Sequence, residues 1–181
     1  MRNAFQWLTN PPVDGPASIL LLRLMAGGVF LWEGILKFVY VNQGVGRFTK
    51  LGFPFPQATA QFVGTLEIVG GVLLLLGLCT RLIAIPFVIE MIVAILTTKI
   101  ALYLGTSPLP LPPAPPQIGA WAVLHEIRSE YAQMATSLFL LINGPGVMSI
   151  DALLRSRRSD YHARGVRGAE TAVVMARSTR L

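Results

Sequence analysis

The chain has 181 residues, 53% of them apolar and 13% charged, and its mean hydropathy is +0.59. This is too apolar for an ordinary soluble domain and the reverse of the composition that keeps a chain disordered. The single cysteine, Cys79, excludes a disulfide framework, a CxxC redox centre and any cysteine-built zinc or iron–sulfur site.

The N-terminal stretch 1–16 is polar and broken by Pro11, Pro12 and Pro16. It lacks the apolar run of a signal peptide, so no cleavage is expected. Ala17 to Val41 then reads as a first transmembrane helix, since about 20 residues at 1.5 Å each cover a hydrocarbon core of about 30 Å. A second is expected over Ala58 to Leu78 and a third over Leu82 to Leu104, joined by a tight turn of Cys79, Thr80 and Arg81. The fourth, Trp121 to Asn143, begins with His125, Glu126, Arg128 and Glu130, a set read as a solvated helix end, and stops at Asn143-Gly144-Pro145-Gly146. Beyond it, VMSIDALLRSRR is expected to make a short amphipathic helix on the membrane surface with Ser149 as its cap. The remaining tail is expected to be disordered.

The net charge of +6 does not point to nucleic acid, because seven of the fifteen Lys and Arg residues lie after Leu154. A basic tail behind apolar spans reads as a cytoplasmic flank. One orientation places Arg2, Arg81, Arg155, Arg157, Arg158, Arg164 and Arg167 on one side, against Arg47, Lys50 and Arg128 on the other. Both termini are therefore expected in the cytoplasm. The connections Asn42 to Gln57 and Gly105 to Ala120 then share the outer face, the second stiffened by SPLPLPPAPPQ. Tyr40, Tyr103, Trp121 and Tyr131 fall near the same outer boundary, as an aromatic belt does.

Ionisable groups inside spans usually face the bundle interior. Counted from the helix ends, Arg23 and Glu90 come out at one depth and are expected to form a structural pair. Glu33 and Lys99 share an outer depth, with Lys37 one turn beyond Glu33. Glu67 sits nearest the midplane with no cation at its own level, so it is expected to be protonated or bound to a ligand. Gly64, Glu67 and Gly71 share one helix face, and Gly27 and Gly34 repeat the same seven-residue spacing on the first helix. Small residues let helices approach closely, so both faces should point into the bundle. Pro86, Glu90, Ala94 and Thr97 make a small or polar stripe on the third helix. Cys79 reads as an inert small residue. No metal site is expected.

At this point the sequence resembles the DoxX family of bacterial four-helix membrane proteins. The likeness rests on RLMAGGVFLWEGILKF from Arg23, LGFPFP from Leu51, EIVGGVLLLLGLCTRLIA from Glu67 and GPGVMSID from Gly144. It implies an all-α integral membrane four-helix bundle over residues 17–154, preceded by a cytoplasmic segment 1–16 and followed by a basic tail 155–181. It further implies a multi-pass protein of the bacterial plasma (inner) membrane, in a family that includes a thiosulfate:quinone oxidoreductase subunit and a component of a thiol-oxidation complex. This chain departs from the commonest pattern in its proline-rich third connection and its long basic tail.

Two readings follow. In the first, the protein is a redox subunit that binds a quinone within the bundle, with Glu33, Lys37, Glu67 and Lys99 as candidate ligand-binding groups and a partner redox protein or a second copy beside it. In the second, it is a noncatalytic scaffold or a carrier of a small amphiphile, and the same charges hold the bundle together. The bilayer is a partner in both, and nucleic acid in neither.

Overall fold

A computed structural model describes residues 7–8 and 11–156. Helices account for all its regular structure, with no strand among the described residues. Helix α1 runs Ile19–Val39, α2 Val45–Lys50 and α3 Pro56–Leu76. Helix α4, Thr80–Ala94, passes through a π-helical turn, Ile95–Lys99, into α5, Ala101–Leu104. Helix α6 is Ala120–Glu126 and α7 is Arg128–Asn143. Three stretches are long and apolar enough to cross a membrane: Ile19–Val39, Pro56–Leu76 and Thr80–Leu104.

The helix ends follow local chemistry. Pro56 opens α3, where its missing N–H would have had no partner. Gly77, at φ 65°, closes it while the Leu78 N–H reaches back to Leu73 O at 2.9 Å. Only Gly77, Leu78 and Cys79 lie between α3 and α4. The expected turn is as tight as proposed but sits two residues earlier, because Thr80 and Arg81 already belong to α4. The π-helical turn has a visible cause. Thr97 and Thr98 donate their hydroxyls to Val93 O and Ala94 O at 2.8 and 2.6 Å, competing with the ladder for the carbonyls four residues back. The ladder there widens, and Ile100 N–H bonds to Ile95 O.

The expected fourth helix, Trp121 to Asn143, is broken at Ile127. Its first part, α6, is short, and α7 carries buried Gln133, Thr136 and Ser137. Helix α7 packs chiefly along α4, and α1 chiefly along α3, so the bundle consists of two intimate helix pairs set side by side.

Glycines set the α1–α3 register. A Cβ on Gly27 would stand 2.8 Å from Gly71 O, and one on Gly71 would stand 2.8 Å from Gly27 O. One turn-pair away, a Cβ on Gly34 would meet Gly64 O and Ile68 N at 2.8 Å. Backbone therefore lies on backbone, as the seven-residue glycine spacings predict. The two pairs are joined by Phe30 of α1 stacked on Phe87 of α4, their rings 3.6 Å apart and 5° from parallel. Ala26, Leu74, Met91 and Leu140 complete this core. The buried face of the third span is thus Ala84, Phe87, Met91, Thr98 and Leu102. The expected stripe of Pro86, Glu90, Ala94 and Thr97 lies at its flank.

The short helix expected beyond the Gly-Pro-Gly stop is present over 150–156. Ser149 caps it, accepting the Ala152 N–H at 3.1 Å. The N-terminal segment meets the same end of the bundle, where Val147 N–H donates to Gly15 O at 3.1 Å. This is the terminal end of the bundle. The expectation of a disordered tail concerns residues that, from 157 on, lie outside those described.

Candidate functional site

Two groups of buried charge occupy different levels of the bundle. At the terminal end Arg23, 2% exposed, lies over the C-terminus of α3. Its Nε donates to Leu74 O at 2.9 Å and Nη2 to Leu75 O at 2.8 Å, while Nη1 donates to Pro145 O and Met148 O at 3.0 and 2.5 Å. These are carbonyls of a helix end and a loop, at the negative end of a helix dipole, and of them Leu74 O also accepts the Gly77 N–H at 3.1 Å. Gly77 is required beside it, since a Cβ there would stand 2.6 Å from Arg23 Cζ. Arg81 does the same for α7, donating to Ile142 O and, at 2.9 Å, to Trp7 O, with its guanidinium 4.0 Å over the Trp7 ring. Asp151 completes the arrangement by accepting the Cys79 and Thr80 N–H groups at 3.1 and 3.4 Å, a cap for α4 delivered from another helix.

The expected pair of Arg23 with Glu90 therefore does not form. Phe30 stacked on Phe87 aligns the parallel helices α1 and α4, which puts Arg23 level with Thr80. Ten residues of rise, about 15 Å, separate that level from Glu90. Counting depth from the helix ends fails here because the stack sets Phe30, eleven residues into α1, against Phe87, seven residues into α4, so the two helix ends do not line up.

The second group lies past the aromatic stack. Glu33 and Glu90 are each three residues beyond the stacked rings on their own helices, so they share a level. Glu67 of α3 faces the same level, since a Cβ on Gly34 would stand 2.9 Å from the Glu67 Cβ. Lys37, one turn above Gly34, reaches back and bridges both oxygens of Glu67, at 2.7 Å to Oε1 and 2.5 Å to Oε2. The Glu67 side chain is 4% exposed and that of Lys37 14%. Glu67 consequently has a cation, contrary to the expectation that it has none. Glu90 meets the Glu67 carboxyl from α4, and Glu33 acts on it from α1. Among the described residues, no donor reaches the buried Glu90 Oε2 atom. The level thus holds three carboxyls and one ammonium group.

Lys99 is not part of this group. The π-helical turn directs it to α6 and α7, where its Nζ lies 3.7 Å from Glu126 and 3.2 Å from Glu130. Glu126 and Glu130 are therefore ion-pair partners across the Ile127 break rather than a freely solvated helix end. Their spacing of four residues was a signal that both could face one cation. Arg128 meanwhile turns back on His125, with Nη1 2.5 Å from Nε2 and 2.8 Å from the carbonyl oxygen.

Of the four candidate ligand-binding residues, the fold brings Glu33, Lys37 and Glu67 together, leaves Lys99 apart and adds Glu90. Nothing in the spacing of Glu90 marked it for this role, because the α1–α4 register is set by two phenylalanines 57 positions apart. Cys79 is an exposed free thiol. Partial burial and the adjacent Asp151 carboxylate push it up from its ordinary pKa, which disfavours the reactive thiolate and agrees with an inert reading.

Comparison with known proteins adds a family. The DoxX family model matches residues 18–100. The chain is 39% identical over 157 residues to the "Uncharacterized membrane protein Rv3486" of Mycobacterium tuberculosis, covering 83% of this chain and 90% of that protein. It is 27% identical over 133 residues to the "Putative oxidoreductase CatD" of Bacillus subtilis, covering 73% of this chain and 83% of that one. No solved structure matches.

Proposed function

The chain belongs to the DoxX family of membrane proteins, and from that premise we propose that it is a quinone-linked redox subunit of the bacterial inner membrane, associated with sulfur or thiol oxidation. In this reading residues 17–154 act as one membrane domain in which α6 and α7 make the fourth pass, and both termini face the cytoplasm. Electrons come from a small sulfur compound or a partner redox protein.

The observation that carries the reading is the group Glu33, Lys37, Glu67 and Glu90, placed among apolar spans. Charged groups are expensive at that depth and are found there chiefly where ions, protons or ligands are handled. Three carboxyls for one ammonium leave an excess of acid groups, which suits a site that holds protons. A quinone, when bound, supplies two-electron chemistry that requires protons at its two oxygens. The donor set fits such a group, because Lys37 has N–H capacity beyond Glu67 and Glu90, which meets the Glu67 carboxyl, can donate when it carries a proton. The resemblance to a relative whose printed name includes oxidoreductase points the same way.

The scaffold or carrier reading draws on a different observation. Glu67 is closed off by Lys37, and the shallow cleft over Val45, Phe55, Pro56 and Gln61 does not include the carboxyl group. Lipid extracted from protein purified in mild detergent separates the two. A stoichiometric quinone is expected, together with loss of electron transfer in reconstituted membranes on Glu90→Gln while the protein stays folded. Consistent absence of quinone, with full activity retained by Glu90→Gln, would overturn the redox reading.

A further inference from the structure

The terminal end carries a surface that neither the spans nor the carboxyl group explains. Residues 147–156 lie outside every candidate span, yet Val147, Met148, Leu153 and Leu154 are 49 to 55% exposed. The segment is held firmly. Ser149 donates its hydroxyl to Gly146 O at 2.7 Å, and Asp151 N–H donates to Gly77 O at 3.1 Å. The Asp151 carboxylate is turned inward onto the start of α4, where Cys79 and Thr80 N–H groups take it up. The only acidic group of the segment is thereby removed from its outer face. What remains outward is apolar, followed at once by Arg155, exposed and tied by one N–H to Pro11 O at 3.1 Å. The sequence continues with Arg157 and Arg158, and from 155 to 181 it holds seven arginines against Asp160 and Glu170.

We propose that residues 147–156 are an interfacial anchor that binds anionic phospholipid headgroups at the terminal end of the bundle. Asp151 caps the first residues of a span, so the segment lies where hydrocarbon gives way to water. There apolar side chains enter the acyl boundary while guanidinium groups remain at the phosphates. Arginine suits that partner, because its planar fork pairs with phosphate oxygens two at a time and is more weakly hydrated than an ammonium group. Charge complementarity selects anionic over zwitterionic lipid. The inference is independent of any quinone.

The test uses the full chain in lipid nanodiscs, with Leu154→Cys in a Cys79→Ser background carrying an environment-sensitive fluorophore. The emission is expected to be that of an apolar setting. Quenching by nitroxide-labelled phosphatidylglycerol should exceed quenching by labelled phosphatidylcholine by about threefold or more at low salt. The preference should fall to parity in Arg155→Gln/Arg157→Gln/Arg158→Gln, and also on raising ionic strength, a measurement that requires no further variant. Water-like emission in both lipids, or equal quenching by the two, would overturn the proposal. So would loss of quenching on adding an excess of an RNA oligonucleotide, which would assign the basic face to nucleic acid.

Discussion

The two charged levels of this bundle look alike in the sequence and differ in what answers the charge. At the terminal end Arg23 and Arg81 are met by backbone carbonyls at helix C-termini, partners that cannot titrate or leave. Past the Phe30–Phe87 stack, Lys37 is met by a side-chain carboxylate with two further carboxyls behind it. The first arrangement is fixed whatever the proton supply, and suits architecture. The second has a charge state that depends on protons, and suits chemistry. An ionisable residue in a span therefore marks function only once its partner is known.

The largest effect that would break this contrast is expected from Arg23→Ala. It removes the Arg23 donors from Leu75, Pro145 and Met148 O and leaves Leu74 O with the Gly77 N–H alone, at about 1–3 kcal/mol for each group that stays buried and unsatisfied. Folded protein should be lost or its thermal unfolding in detergent should fall steeply, with Arg23→Lys only a partial rescue because an ammonium group lacks the planar reach. Near-normal unfolding of Arg23→Ala would show that the terminal end is not the structural anchor.

A smaller effect sharpens the other side. Glu67→Gln leaves the Lys37 ammonium without its closest anion and should destabilise by about 1–3 kcal/mol. Glu90 is close enough to compensate in part. Lys37→Met in the same chain should recover much of that loss, giving a coupling of about 1 kcal/mol or more in a double-mutant cycle of unfolding free energies. Additive losses would mean that the two groups do not sense each other.

The smallest expected effect probes the cap at the terminal end. Since burial and the Asp151 carboxylate push the Cys79 thiol up, less of it is thiolate at neutral pH, and a maleimide should react slowly. Asp151→Asn removes one of those two causes, which lowers the thiol pKa toward its ordinary value and should speed labelling by a few fold. The rate should climb with pH in both proteins, the wild type lagging. Identical rates across pH 6 to 9 would show that Asp151 is not seated on the α4 N-terminus.

Much of this molecule is local and was therefore legible. Three of the four expected apolar runs, the Gly-Pro-Gly stop, the Ser149 cap and the paired glycine spacings depend on a few neighbouring residues, and each is found within about two residues of where the sequence places it. The charged site was legible only in part. Glu33, Lys37 and Glu67 could be named because charge in a span is costly wherever its partner lies. Their pairing could not, because depth counted from helix ends assumes ends that line up.

What the sequence alone determined, then, is the three long apolar spans, their order, the faces that carry glycine, and which ionisable residues must find partners. What only the tertiary structure decided is who those partners are. Glycine backbones in contact stagger α1 against α3 and bring Lys37 to Glu67. The stacked phenylalanines align α1 with α4, carrying Glu90 to the carboxyl level and Arg23 away from it. Hydrophobicity selects the helices without regard to register, whereas an ion pair needs atoms within about 4 Å, and that precision comes only from close packing across the bundle.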